Sequence, residues 1–138
     1  MTTPAEELRT AAKLMRERAQ ASTPGPWQHM CLGSEGCQVL RANGTVRERG
    51  RGRVARFGQK EWKADHADAE YVAGMHPGVA LAVADWLEQT AESVSRAIPR
   101  PSGLCHACGG MLAEDCCCGW DEALRVARAY LGTEGETP

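Results

Sequence analysis

Large side chains are scarce in this sequence. One Phe, two Tyr and four Trp among 138 residues leave alanine to carry much of the apolar count. Aromatic anchors for a core are therefore few, and each small side chain contributes little buried area. The length suits one compact domain, or one domain with a small appendage, and a metal staple is a reasonable physical supplement. No apolar run approaches the roughly 18 residues that a membrane-spanning helix needs. An excess of one charge is missing too. Sixteen basic and 18 acidic residues give a net charge of −2, which argues against chain-wide attraction to nucleic acid or to a membrane surface. The N-terminal stretch is polar and helical, with Glu6, Glu7, Arg9, Lys13, Arg16, Glu17 and Arg18 spread through it, and shows no secretory pattern. A cytoplasmic protein is expected. No internal repeat and no long low-complexity segment interrupts the chain.

Cysteine, by contrast, is plentiful. There are seven, and five lie between Cys105 and Cys118. Cys105 and Cys108 stand at C-x-x-C spacing, followed by Gly109 and Gly110, and a turn there brings both sulfurs to one side. Glycine after the second cysteine suits a tight turn whose backbone N–H groups point at sulfur. Cys116, Cys117 and Cys118 then supply further donors. The expected ligand set is Cys105, Cys108, Cys116 and Cys118, with Cys117 or His106 as substitutes. Four thiolates saturate Zn²⁺ and leave no position for water, so the expected site is structural. An iron–sulfur cluster is the minor alternative. In a reducing compartment clustered cysteines read as metal ligands before disulfides, and an odd total argues against full pairing.

The rest of the chain reads as α+β. Thr3, Pro4 and Glu6 spell a capping box with proline at the first helical position. Leu8, Ala11, Ala12, Met15 and Ala19 then share one face of a helix over about 4–21. Pro24-Gly25-Pro26 stops it, and Trp27 is expected to anchor a core beneath that turn. Short strands are predicted at 27–31, 38–42, 45–48 and 53–57, with Asn43-Gly44 as a hairpin signal. Together they predict a small antiparallel sheet over about 27–58. A helix at about 64–75 is expected to bury Tyr71, Val72 and Met75. A longer one at about 77–98 repeats Val79, Val83, Trp86, Leu87, Thr90, Val94 and Ile98, with Trp86 in the core. It is expected to pack on both earlier helices, its alanines allowing close approach. Asp121 is placed to cap a last helix carrying Leu124, Ala127 and Leu131, and Gly132 to end it. The predicted division is a helix, hairpin and helix core over 1–98 and a zinc-knuckle loop with its helix over 99–138.

Three further groups carry chemistry. Cys31 and Cys37, with His29 nearby, read as a second metal site, as donors to the first, or as two buried or free cysteines. Asp65, His66, Asp68 and Glu70 read mainly as acids in the first turns of a helix plus an exposed histidine. With His76, the pair His66 and Asp68 forms the alternative of a metal-dependent hydrolase. Arg41, Arg47, Arg49, Arg51, Arg53, Arg56, Lys60 and Lys63, against only Glu48 and Glu61, make a basic ribbon over 41–63. That ribbon suits nucleic-acid phosphates, but no aromatic set for base stacking accompanies it. A solvated arginine-rich sheet edge is the favoured reading.

Two stretches together carry a resemblance. Ala21-Ser22-Thr23-Pro24-Gly25-Pro26-Trp27 follows the first helix. Ala67-Asp68-Ala69-Glu70-Tyr71-Val72-Ala73-Gly74-Met75-His76-Pro77-Gly78-Val79-Ala80-Leu81-Ala82 follows a variable β segment. The pairing resembles the Ead-like accessory proteins of phages and prophages, in a high-GC actinobacterial or actinophage version. Tyr71 and Val72 stand where that pattern has Phe and Ile, and His76 where it commonly has Asn. The resemblance covers about a third of the chain, excludes the C-terminal cysteines and transfers no catalytic residue. It implies a small accessory factor in the host cytoplasm that acts on an unidentified protein partner, a host factor among the candidates. The leading expectation is thus a non-enzymatic, zinc-binding interaction module. Nucleic-acid binding through the ribbon and hydrolysis at His66, Asp68 and His76 are the alternatives.

Overall fold

The computed structural model describes residues 2–31, 36–42, 53–57, 62–96 and 119–133. It is α+β, with four helices and a three-stranded antiparallel sheet among the described residues. The order is α1 (Pro4–Ala21), β1 (Trp27–Cys31), β2 (Cys37–Arg41), β3 (Arg53–Arg56), α2 (Trp62–Gly74), α3 (Pro77–Arg96) and α4 (Trp120–Leu131). The strand predicted at 45–48, the Asn43-Gly44 turn and the expected division near 98–99 lie outside the described residues.

The chain forms two units. The first comprises Met1–Met15 and Val83–Pro138, and the second Arg16–Ala82. In the first unit, α1 begins with the predicted reciprocal cap. The Thr3 backbone N–H donates to Glu6 Oε2 at 2.7 Å, and the Glu6 N–H donates to Thr3 Oγ1 at 3.3 Å. The Thr3 backbone N–H and hydroxyl both donate to the Glu6 carboxylate and favour its ionised form, the backbone bond being the largest cause of its lowered pKa. The predicted face of α1 is buried at Leu8, Ala11, Ala12 and Met15. It clusters with Ala84, Leu87 and Ala91 of α3 and with Ala123, Leu124 and Ala127 of α4. Most of these contacts are alanines, whose small side chains let helix backbones come close.

Two expectations for α3 and α4 are corrected. Trp86 is 41% exposed rather than in the core. The buried seam of α3 is Ala84, Leu87 and Ala91, a step of three then four residues, and Trp86 sits one residue around the helix from it. Thr90 is buried, and its hydroxyl donates to the Trp86 carbonyl at 2.9 Å, so no polar group is stranded there. In α4 the N-cap is Gly119, not Asp121, which lies in the first turn with Glu122 and favours the positive end of the helix dipole. On the surface of this unit Arg128 Nε donates to Glu7 Oε2 at 3.0 Å, a half-exposed pair that fixes position more than it stabilises.

The C-terminal end of α4 follows expectation. Gly132 adopts φ 74°, its N–H donates to the Ala129 carbonyl, and the Thr133 N–H reaches back to the Arg128 carbonyl. That pair of bonds is the Schellman closure, which needs a left-handed residue. Gly132→Ala is expected to lower stability by about 1–2 kcal/mol, read as a reduced midpoint in urea denaturation. No change in the midpoint would mean that α4 does not unfold with the rest of its unit.

In the second unit the sheet order is β1-β2-β3, so β2 is central. Its Cys37 and Val39 are fully buried. Trp27 pairs with Arg41, His29 with Val39 and Cys31 with Cys37. Residues directly opposite across an antiparallel pair share a face, so Trp27, His29, Cys31, Cys37 and Val39 all lie on one side. A bulge between Val39 and Leu40 shifts the β2–β3 register. Helix α2 covers the face of Cys37 and Val39 with Ala69 and Ala73, flanked by Val72. The predicted face of α2 is therefore wrong in part, because Tyr71 is 69% and Met75 50% exposed. Alanine lets the helix lie close to the sheet, and the larger Tyr71 and Met75 would hold it off. Within the sheet, α2 packs on β1 and β2. Trp27 does anchor this cluster, and its indole N–H donates to the Thr23 carbonyl at 3.0 Å.

A candidate metal centre between β1, β2 and α2

The sheet register and the helix stripe converge at one end of the second unit. Cys31 ends β1 and Cys37 begins β2, directly opposite each other with Cα atoms 4.0 Å apart. On α2, His66 stands three residues before Ala69 and seven before Ala73. It therefore continues the stripe that faces the sheet. Its Nδ1 lies 3.2 Å from Cys31 Sγ. The donor atoms of Cys31, Cys37 and His66 all fall within 4.8 Å of one another. With its two sulfurs as free thiolates, the group would offer three of the four donors a tetrahedral ion takes.

Burial grades across the group. Cys37 is fully buried under α2, Cys31 is half-buried, and His66 opens to solvent. His29, two residues before Cys31 on the same face, stacks its ring edgewise on His66 with centroids 5.1 Å apart and an interplanar angle of 81°. The two cysteines are bonded to each other as a disulfide. This corrects the expectation of reduced thiols at this pair, and the reason is the register, which sets the two side chains face to face. A disulfide sulfur carries no proton, so the contact between Cys31 and His66 has Nδ1–H donating to sulfur.

Proximity along the chain groups Cys31 and Cys37 with His29 but sets His66 with Asp65, Asp68 and Glu70. The signal that links His66 to the sulfurs is periodicity. His66, Ala69 and Ala73 share one face of α2, while Trp27, His29 and Cys31 share one face of β1. Among the described residues no second group of three His, Cys, Asp or Glu side chains converges in this way. His66 thus belongs with the sulfurs, and the trio of His66, Asp68 and His76 does not assemble. His76 instead packs beside the turn after α1, lining a groove with Ser22, Pro24, Gly25, Pro77 and Leu81. Its Nδ1 accepts the Gly78 N–H at 3.1 Å.

The C-terminal ligand set Cys105, Cys108, Cys116 and Cys118, with Cys117 and His106, lies outside the described residues. Of the basic ribbon, Arg41, Arg53 and Arg56 are described and exposed. Arg56 pairs with Gln38 and Arg53 with Leu40, which puts both on the sheet face away from α2. No described helix is long and apolar enough to cross a membrane. Comparison with family models, curated proteins and solved structures finds no match to this chain.

Proposed function

We propose that this chain is a small zinc-binding accessory module that acts by contacting a protein partner rather than by catalysis. The observation that carries the metal reading is the convergence of Cys31, Cys37 and His66 from three separate elements. Two thiolates with imidazole suit Zn²⁺ over Mg²⁺ or Ca²⁺, which take oxygen donors. A second, structural zinc at Cys105, Cys108, Cys116 and Cys118 is part of the same proposal. The accessory role draws on the Ead-like stretches at Ala21–Trp27 and Ala67–Ala82, and places the protein in the cytoplasm of a phage-infected or lysogenic host.

Elemental analysis of the reduced full-length protein tests this. About one zinc per chain is expected to disappear in Cys37→Ser and in His66→Ala, and about one more in Cys105→Ser. Iron in place of zinc, or zinc content unchanged by Cys37→Ser and His66→Ala, would remove the reading for the sheet site. Nucleic-acid binding is the second reading, favoured by Arg53 and Arg56 sharing one sheet face. It requires an affinity that falls steeply with salt and with Arg53→Ala.

A further inference from the structure

Two thiolates that ligate a metal cannot at the same time be bonded to each other. The sulfurs of Cys31 and Cys37 are the same atoms in the disulfide and in the candidate metal centre. On one tetrahedral zinc they would stand about 3.8 Å apart, as separate thiolates. We propose that the disulfide and a zinc ion held by Cys31, Cys37, His66 and His29 are two exchangeable states of one redox-released metal centre. The inference rests on the metal reading above and adds both its fourth ligand and its regulation.

Placement points to His29 as the fourth donor, although its ring nitrogens fall outside the tighter group of Cys31, Cys37 and His66, so its ring would turn toward the zinc on binding. It lies on the α2-facing side of β1, two residues from Cys31, and its ring already meets that of His66. His66 is exposed and His29 half-buried, whereas Cys37 is fully buried. Two thiolates and two neutral imidazoles cancel the charge of Zn²⁺, so the loaded centre is neutral. Neutrality matters beneath α2, because burying net charge is costly. The disulfide state is likewise neutral and cross-links β1 to β2 in the same register. Either state therefore ties the sheet at the same place, but only one displays a metal.

The exchange balances with ordinary cellular reagents. In reduction, two molecules of a glutathione-class thiol deliver two electrons and two protons to the Cys31–Cys37 bond and leave as their own disulfide. Zinc then displaces both cysteine protons. In oxidation the Cys31 thiolate, the more exposed of the two, attacks hydrogen peroxide. The O–O bond breaks, giving a sulfenic acid and, with a proton, water. The Cys37 thiolate displaces the sulfenic hydroxyl, which leaves as a second water once protonated. Zinc, left with two imidazoles, departs.

The full-length protein, reduced and loaded with zinc, is treated with hydrogen peroxide, and released zinc is followed with a metallochromic dye. Non-reducing peptide mapping of the same samples locates each new disulfide. Release of the zinc that Cys37→Ser lacks is expected to track formation of the Cys31–Cys37 bond. Adding a thiol reductant with zinc is expected to restore the starting state. His29→Gln, which keeps a polar side chain on the strand, is expected to weaken zinc binding at this site at least about tenfold. If that zinc stays bound while the Cys31–Cys37 bond forms, or leaves without it, exchange is overturned although the metal reading survives. An unchanged affinity in His29→Gln removes His29 as a ligand. If the reduced protein never holds the zinc that Cys37→Ser lacks, the metal reading itself fails.

Discussion

Leu87→Ala is expected to cost about 3–5 kcal/mol, a loss matched among the described residues of the first unit by truncation of the equally buried Leu8. Leu87 is fully buried, and its neighbours in the cluster are mostly alanines. Alanine has no side-chain torsion with which to reach into a vacated space. The cavity left by the leucine would therefore stay open, and the cost should fall toward the upper end for such changes. Trp86→Ala removes a far larger side chain one residue away. It is expected to cost clearly less, because Trp86 is 41% exposed. Tyr71→Ser in the second unit should change stability by no more than about 0.5 kcal/mol. Urea denaturation of the three variants against wild type decides the matter. A larger loss for Trp86→Ala than for Leu87→Ala would mean that the seam of α3 is assigned to the wrong residues.

Gly25→Ala should have the next largest effect, about 1–3 kcal/mol of destabilisation. A Cβ at Gly25 would lie 2.9 Å from His76 Nδ1 and 3.2 Å from its Cγ. The ring cannot simply swing aside. Its Nδ1 is held by the Gly78 N–H, and a Cβ at Gly78 would itself meet the ring at 2.8 Å. Glycine on both sides makes the slot in which the imidazole sits, joining the turn after α1 to the start of α3 within the second unit. The cause can be isolated by a double-mutant cycle. With His76→Ala in the background, most of the cost of Gly25→Ala is expected to vanish. An unchanged cost would place the strain in the backbone of the turn and not in contact with His76.

Much of the helical architecture is legible in the sequence, because its signals are local. Thr3 and Glu6 mark where α1 starts, and Leu8, Ala11, Ala12 and Met15 mark its inner face. Gly132 marks where α4 stops. Misjudged positions share a physical origin. Tyr71, Met75 and Trp86 carry weight in a sequence pattern through size and hydrophobicity, whereas close approach of a helix to a sheet or another helix selects for small side chains. The same bias hides the covering stripe of α2, since Ala69 and Ala73 carry little apolar weight. The candidate metal centre is half legible. Cys31, Cys37 and His29 announce themselves by proximity along the chain, but His66 arrives 35 residues after Cys31. Only the pairing of a strand face with a helix face brings it there, and local patterning does not specify which elements meet.

Alanine burial in α1, α3 and α4 also carries a calorimetric signature. Seven of the eleven described buried members of that cluster are alanine. Unfolding it exposes less hydrocarbon per residue than melting a leucine-rich core. The heat-capacity increment per residue should be correspondingly small. A small increment flattens the curve of stability against temperature, so a modest maximum is spread over a wide range. Such a unit would resist cold better than its stability at ambient temperature suggests.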